Sequence, residues 1–254
     1  HMKELLQKIN ENEWLLPKSA RAGMLVDAKI IANKEVLEAM EEGAIEQLSN
    51  VAMLPGVIDP VIAMPDAHFG YGVPMGSVIA FELGRGIISA GLCGFDINCG
   101  INMISTNLTA EEVKPKLNEL ISELFKTIPC GVGSKGKLRL KPEDMEKVLV
   151  EGSKWAVKQG YGTEKDLEHT EEHGCMEGAD PKKVSDLARK RGVAQLGTLG
   201  AGNHFLEVQE VTDIFDETFA KSWGLKKGQV TIMLHCGSRG LGHQIATDFL
   251  QIHS

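Results

Sequence analysis

Apolar positions recur at helical spacing in two early stretches, residues 3 to 16 and 35 to 49, the second through Val36, Leu37, Met40, Ala44, Ile45 and Leu48. Set among acids and amides, this spacing predicts amphipathic surface helices. From Val57 to Gly100 the character changes to short apolar runs (Val57-Ile58, Val61-Ile62-Ala63-Met64, Ser77-Val78-Ile79-Ala80-Phe81, Ile87-Ile88) broken by Gly and Pro, which predicts strands and loops. Helical spacing returns over 110 to 128, through Leu117, Leu120, Ile121 and Leu124, and over 142 to 159, through Met145, Val148, Leu149 and Trp155. A glycine and lysine loop from Gly131 to Lys141 separates the two. An acidic, mixed stretch from Leu167 to Pro181 leads to a short helix over Ser185 to Arg191. A glycine-rich loop, Gly197 to His204, then enters a strand over Phe205 to Val211. Val230 to Leu234 reads as a buried strand running into a second glycine loop, His235 to His243. The final amphipathic pattern, Gln244 to Ile252, has no glycine stop and suggests a chain that ends inside a larger fold. The expected class is α+β, with mixed sheets flanked by helices and no internal repeat.

Composition narrows the class of function. The 254 residues are 43% hydrophobic and 24% charged, which suits a soluble globular chain of one large or two small domains. No apolar stretch approaches the roughly 18 to 20 residues of a membrane span. A charged start argues against a signal peptide, and His1-Met2 reads as a cloning scar, left out of the chemistry. The net charge of −8 offers no global attraction to a polyanion, so any nucleic-acid contact has to be local. Lys135, Lys137, Arg139 and Lys141, and again Lys182, Lys183, Arg189, Lys190 and Arg191, are local basic clusters of that kind, each also readable as a solvated surface. Cys93, Cys99, Cys130, Cys175 and Cys236 are odd in number and widely spaced, which predicts reduced thiols in a cytoplasmic setting.

The densest chemistry lies in Gly94-Phe95-Asp96-Ile97-Asn98-Cys99-Gly100. Joint use of Asp96 and Cys99 needs a turn, since positions three apart on a strand face opposite ways. Together they form a metal half-site suited to Zn, Fe, Co or Mn; apart, Asp96 caps a turn and Cys99 is a small buried hydrophobe. His204 and His235 each stand where a glycine loop meets a strand, and with the Asp/Cys pair they complete a four-ligand set. The loops Gly200-Ala201-Gly202-Asn203 and Gly237-Ser238-Arg239-Gly240 present backbone N–H groups to an anion, and Arg239 adds a forked cationic donor. The alternative is a pair of tight turns with Arg239 in a surface ion pair. Met64 to Gly76, rich in Pro and Gly, fixes a backbone course and also offers Asp66 and His68 as orienting groups. His169 and His173, four apart in acidic surroundings, read as a solvated surface.

Four ordered segments carry a resemblance: Met64-Pro65-Asp66-Ala67-His68-Phe69-Gly70-Tyr71-Gly72, Gly94 to Gly100, Gly197 to Phe205, and His235 to Gly242. They closely resemble motifs of the RtcB family of RNA-splicing ligases. The resemblance implies a ligase that uses GTP and manganese to join RNA ends bearing a 2′,3′-cyclic phosphate or 3′-phosphate to a 5′-hydroxyl, notably tRNA halves in tRNA splicing. It implies a guanylylated-histidine intermediate, two Mn2+ ions, and archease as a possible helper. By motif, Cys99 would bridge the two ions, with Asp96 on one and His204 and His235 on the other. Asn203 and Glu207 match positions that contact the nucleotide, Arg239 is a candidate phosphate ligand, and Asp66, which matches an acidic site residue, joins Asp96 and Cys99 as a catalytic candidate.

The family's His-Gly-Ala-Gly-Arg motif, which supplies the guanylylated histidine, does not occur in this sequence. Residues 3 to 254 therefore read as the N-terminal portion of an RtcB-like catalytic domain, an incomplete family fold expected to be inactive by itself. Two other readings stand beside it: a metal-dependent phosphoesterase, and a non-catalytic, metal-stabilised partner subunit.

Overall fold

A computed structural model describes every residue except Lys135, Lys137, Arg139 and Ser254. Most of the first basic cluster expected from the sequence thus lies outside the described residues. The class is α+β, and the chain divides into two compact units, residues 1–95 and residues 96–252. No helix among the described residues is long and apolar enough to cross a membrane.

In the first unit, strands β1 (Gln7–Asn10), β2 (Glu13–Leu16), β3 (Ala28–Ile31), β4 (Val61–His68) and β5 (Met75–Val78) form one sheet in that order. Only β3 and β4 pair in parallel, and a parallel pair needs a crossover. The helices α1 (Lys34–Ala39) and α2 (Glu42–Val51) supply it. The Asn33 side chain starts α1 by accepting from the Val36 N–H at 2.8 Å. Alternation on β3 and β4 buries Ala28, Ile30, Val61 and Ala63, and Leu37, Ile45, Leu48 and Val51 of the helices complete the same core.

The helix expected over residues 3 to 16 is instead a short 3-10 turn, Met2–Leu5, followed by the β1–β2 hairpin. Asn10 decides the outcome, because its side chain accepts from the Asn12 N–H at 2.8 Å and closes a turn where a helix would have to continue. Ile87-Ile88 forms no strand, and Ile88 is fully exposed. The helices expected over 35 to 49, 110 to 128 and 142 to 159 are present, each broken once.

The second unit holds a three-stranded antiparallel sheet in which β8 (Gln229–Cys236) lies between β6 (Gly100–Thr109) and β7 (Phe205–Glu210). Between β6 and β7 the chain passes through α3 (Ala110–Val113), α4 (Leu117–Thr127), α5 (Pro142–Glu151), α6 (Ser153–Lys158), α7 (Glu164–Glu168) and α8 (Asp186–Gln195). Helix α9 (Glu217–Ser222) precedes β8, and α10 (Arg239–His253) follows it. Met145 of α5 is fully buried, and Gly192 of α8 lets its methyl group approach closely. Ser185 caps α8 by accepting from the Ala188 N–H.

Two expectations change here. The second glycine loop is not a loop beyond Ser238, since Arg239, Gly240, Leu241, Gly242 and His243 form the first turns of α10. Gly240 and Gly242 weaken helix propensity, but the Gly240 N–H finds the Gln195 Oε1 acceptor at 2.7 Å, so tertiary contact overrides propensity. In the second basic cluster, Arg189 donates to the Pro181 and Val184 carbonyls and Arg191 to Gln244 Oε1, so both are tied into the fold.

Candidate metal centre

Four side chains from three separate stretches of the sequence meet at one end of the three-stranded sheet. The turn leading into β6 supplies two: the Cys99 N–H donates to the Asp96 carbonyl at 2.9 Å, with Asn98 at φ 63°. Asn tolerates this left-handed conformation better than most residues, and the turn places carboxylate and thiol on one side. His204 enters from the glycine loop before β7. His235 stands near the end of β8, opposite Ile101 on β6 and Phe205 on β7.

The distances are those of a ligand cluster. Cys99 Sγ lies 3.4 Å from His204 Nε2 and 3.1 Å from His235 Nε2. His204 Nε2 lies 2.7 Å from Asp96 Oδ2, and the His204 side chain is only 3% exposed. Asp96, Cys99 and His204 each offer a ligand atom within 4.8 Å of the others. The set is a hard oxygen, a soft sulfur and imidazole nitrogens, a mixture that suits a divalent transition metal. The resemblance assigns His204 and His235 to one ion, whereas here His204 is paired with Asp96, and His235 reaches the cluster through Cys99.

Neighbouring groups orient these ligands. His204 Nδ1 lies 3.0 Å from the Leu199 carbonyl, which can only accept, so Nδ1 carries a proton and Nε2 is the nitrogen that faces Asp96 and Cys99. Ser238 Oγ donates to Asp96 Oδ1 at 2.9 Å. Gly237 is required beside it, because a Cβ there would fall 2.5 Å from Asp96 Oδ2. Burial, then the Asp96 charge and hydrogen bond, then Cys236, push the Cys99 thiol up to about 11. Burial also raises the Cys236 thiol, against the opposing pull of the Gly237 backbone and Arg239.

A cavity of about 370 Å³ opens from the cluster, lined in part by Asp96, Asn203, His204, Arg239, Arg191 and His243. Asn203 and Arg239 therefore stand beside the ligand set. Glu207 is exposed on β7, two residues beyond Phe205, where Gln209 Nε2 donates to it at 2.8 Å, and it is not part of that lining. Asp66 is exposed on β4 in the first unit, and His68 Nδ1 lies 3.0 Å from the Asp66 carbonyl. His169 ends α7 and His173 lies at φ 51° in a separate 3-10 turn, so the two share no helix. Sequence reasoning did not single out Ser238, Gln195 or Thr198, ordinary polar residues whose spacing carries no signal.

The model of the family described as tRNA-splicing ligase RtcB matches residues 47–254. The chain is 50% identical over 252 residues to a tRNA-splicing ligase RtcB of Archaeoglobus fulgidus, covering 99% of this chain and 52% of that protein. Proteins of the same description from Thermococcus kodakarensis and Methanococcus maripaludis are 52% and 51% identical, over 97% and 98% of this chain and 51% and 52% of their own lengths. The chain thus spans about half the length of the curated relatives it matches. With its ordered motifs and the match to most of its length, the chain belongs to the tRNA-splicing ligase RtcB family.

Proposed function

We propose that this chain carries the metal-binding part of a GTP- and Mn2+-dependent RNA ligase that joins RNA 2′,3′-cyclic phosphate or 3′-phosphate ends to 5′-hydroxyl ends, as in tRNA splicing. The observation that carries the reading is Cys99 Sγ within 3.4 Å of both His204 and His235 Nε2, with Asp96 against His204. Asp96, Cys99 and His204 would hold one divalent cation, and Cys99 and His235 would contribute to a second. Divalent cations bound there would supply charge neutralisation at a phosphate and a template for in-line displacement at phosphorus.

The chain's own groups do the rest of the positioning. The Leu199 carbonyl holds the His204 tautomer, Ser238 holds Asp96, and Cys99 gives up its thiol proton when it becomes a ligand. Arg239 presents a guanidinium to a phosphate oxygen in the adjoining cavity, and Asn203 borders the nucleotide. Glu207 and Asp66 are proposed from motif position, as a nucleotide contact and a catalytic carboxylate. The guanylyl-accepting histidine of the family motif has no counterpart in this sequence, so the guanylyl step is assigned to no residue here.

The test has two arms. Equilibrium dialysis against Mn2+ compares wild type with Cys99→Ala; equal binding by the variant overturns the metal assignment. RNA carrying a 2′,3′-cyclic phosphate and a 5′-hydroxyl is then incubated with this chain plus the C-terminal half of the Archaeoglobus fulgidus relative. GTP-dependent joining is the expected result, whereas phosphate release without GTP identifies a phosphoesterase instead.

A further inference from the structure

We propose that Thr198 is a positioning residue that, with Gly200, seats the Arg239 guanidinium for a phosphate group of the RNA end or nucleotide. The inference rests on the reading of Arg239 as a phosphate ligand.

Three observations converge on this cradle. A Cβ built on Gly200 would fall 2.1 Å from Arg239 Nη1 and 2.3 Å from Cζ, so the guanidinium rests directly against the glycine backbone. Any side chain at position 200 would displace the guanidinium, and Gly200 sits at φ +97°, where L-residues are strained. Arg239 itself adopts φ 56°, an uncommon conformation for a residue with a side chain and one that recurs at functional sites. Thr198, only 5% exposed, lies within reach of Arg239 Nε, at 3.4 Å from its Oγ1.

The polarity of Thr198 is settled by its other contact. Its hydroxyl donates to the Gln195 carbonyl at 2.6 Å, so only lone pairs remain to face the arginine. Among the described residues Nε is the one guanidinium nitrogen of Arg239 with a protein partner, which leaves the Nη groups for a ligand. Gln195 steadies the same unit from the far side, since its Oε1 accepts from the Gly240 N–H at 2.7 Å, next to Arg239. An arginine fixed through Nε and laid against backbone loses little further freedom when it meets a forked phosphate.

Thr198→Val preserves shape and removes the acceptor. The Gln195 carbonyl is not orphaned by the change, because it also accepts from the Thr198 N–H at 3.1 Å. The experiment titrates inorganic pyrophosphate calorimetrically into the whole chain in EDTA, comparing wild type, Thr198→Val, Thr198→Ser and Arg239→Gln. Expected are a loss of affinity of about three- to tenfold for Thr198→Val, near wild-type binding for Thr198→Ser, and a larger loss for Arg239→Gln. Thr198→Val binding like wild type while Arg239→Gln is impaired overturns the role of Thr198 alone. Unchanged binding by Arg239→Gln overturns the phosphate reading beneath it. If Thr198→Val folds poorly by circular dichroism, Thr198→Ala removes the same acceptor without branching, and the same comparison decides.

Discussion

His204 Nε2 and Asp96 Oδ2 stand 2.7 Å apart, while the other ring nitrogen of His204 is committed to the Leu199 carbonyl. With Nδ1 bonded to that carbonyl, Nε2 is the ring nitrogen that faces the carboxylate, and a cation shared between Nε2 and Oδ2 suits so close a pair. On the proposed reading that cation is a metal ion, with the nearby Cys99 thiol and His235 imidazole as further ligand atoms. His204→Phe keeps a ring in the site and removes both nitrogens. Mn2+ affinity measured by equilibrium dialysis should fall by at least about a hundredfold, beyond the roughly 10- to 100-fold usual for outer partners of a ligand. Undiminished binding would show that His204 is not a ligand.

Ser238 supports the same carboxylate from behind. Its hydroxyl donates to Asp96 Oδ1, leaving Oδ2 aimed at His204. Ser238→Ala removes that restraint without touching a ligand atom, and Mn2+ binding should weaken by about tenfold. Retained affinity in the same dialysis would mean that the turn from Asp96 to Cys99 orients the carboxylate unaided.

The elevated Cys99 thiol gives a pH signature. Held at about 11 against an ordinary 9.0, the metal-free thiol is protonated at neutral pH and has to release its proton to bind metal. Apparent Mn2+ affinity should therefore rise as pH increases from 6 to 8, with proton release visible as a buffer-dependent heat of binding. Stability of the metal-free protein runs the other way. A folded-state value raised above the unfolded one stabilises fully below about 9 and loses that contribution as pH climbs toward about 11. Cys99→Ala should flatten both profiles; persistence of either would remove Cys99 as its source.

The meeting of Asp96, Cys99, His204 and His235 was legible in the sequence because each stood beside glycines at a strand junction, where a fold exposes functional groups. The turn that brings Asp96 and Cys99 together was foreseeable from Gly94 and Gly100, and the strands carrying His204 and His235 from their apolar runs. What supports those ligands was not legible. The contacts of Ser238 with Asp96, Thr198 with Arg239 and Gln195 with Gly240 each join residues more than 40 positions apart, and no local pattern encodes them. Local reasoning also failed where two signals competed. Glycines at 240 and 242 suggested a loop where tertiary contacts hold a helix, and the Asn10 turn overrode an apolar spacing that suggested a helix.

Leu48 reports on the first unit alone. It is fully buried on α2 against the core shared with β3 and β4. Leu48→Ala should cost about 2 to 5 kcal/mol in chemical denaturation, through lost apolar burial and the cavity left behind. A cost below about 1 kcal/mol would mean that the core around α2 collapses onto the vacancy or is loosely packed.

Gln47, one residue earlier on the same helix, tests how the loop of the first resemblance motif is held. The side chain is 6% exposed and clamps Gly70 from both sides: the Gly70 N–H donates to Oε1 at 2.9 Å, and Nε2 donates to the Gly70 carbonyl at 2.7 Å. Phe69 and Tyr71 on either side are largely exposed, so this clamp, more than burial of the aromatic rings, fixes the backbone there. Gln47→Leu keeps the volume and leaves both Gly70 groups without their partner, at a cost of about 1 to 3 kcal/mol. Hydrogen exchange at the Gly70 amide should quicken by at least about tenfold while the amides of β3 keep their protection. If Gly70 exchange is unchanged, the Phe69 N–H bond to Glu41 Oε2 and the prolines at 65 and 74 hold the loop without Gln47.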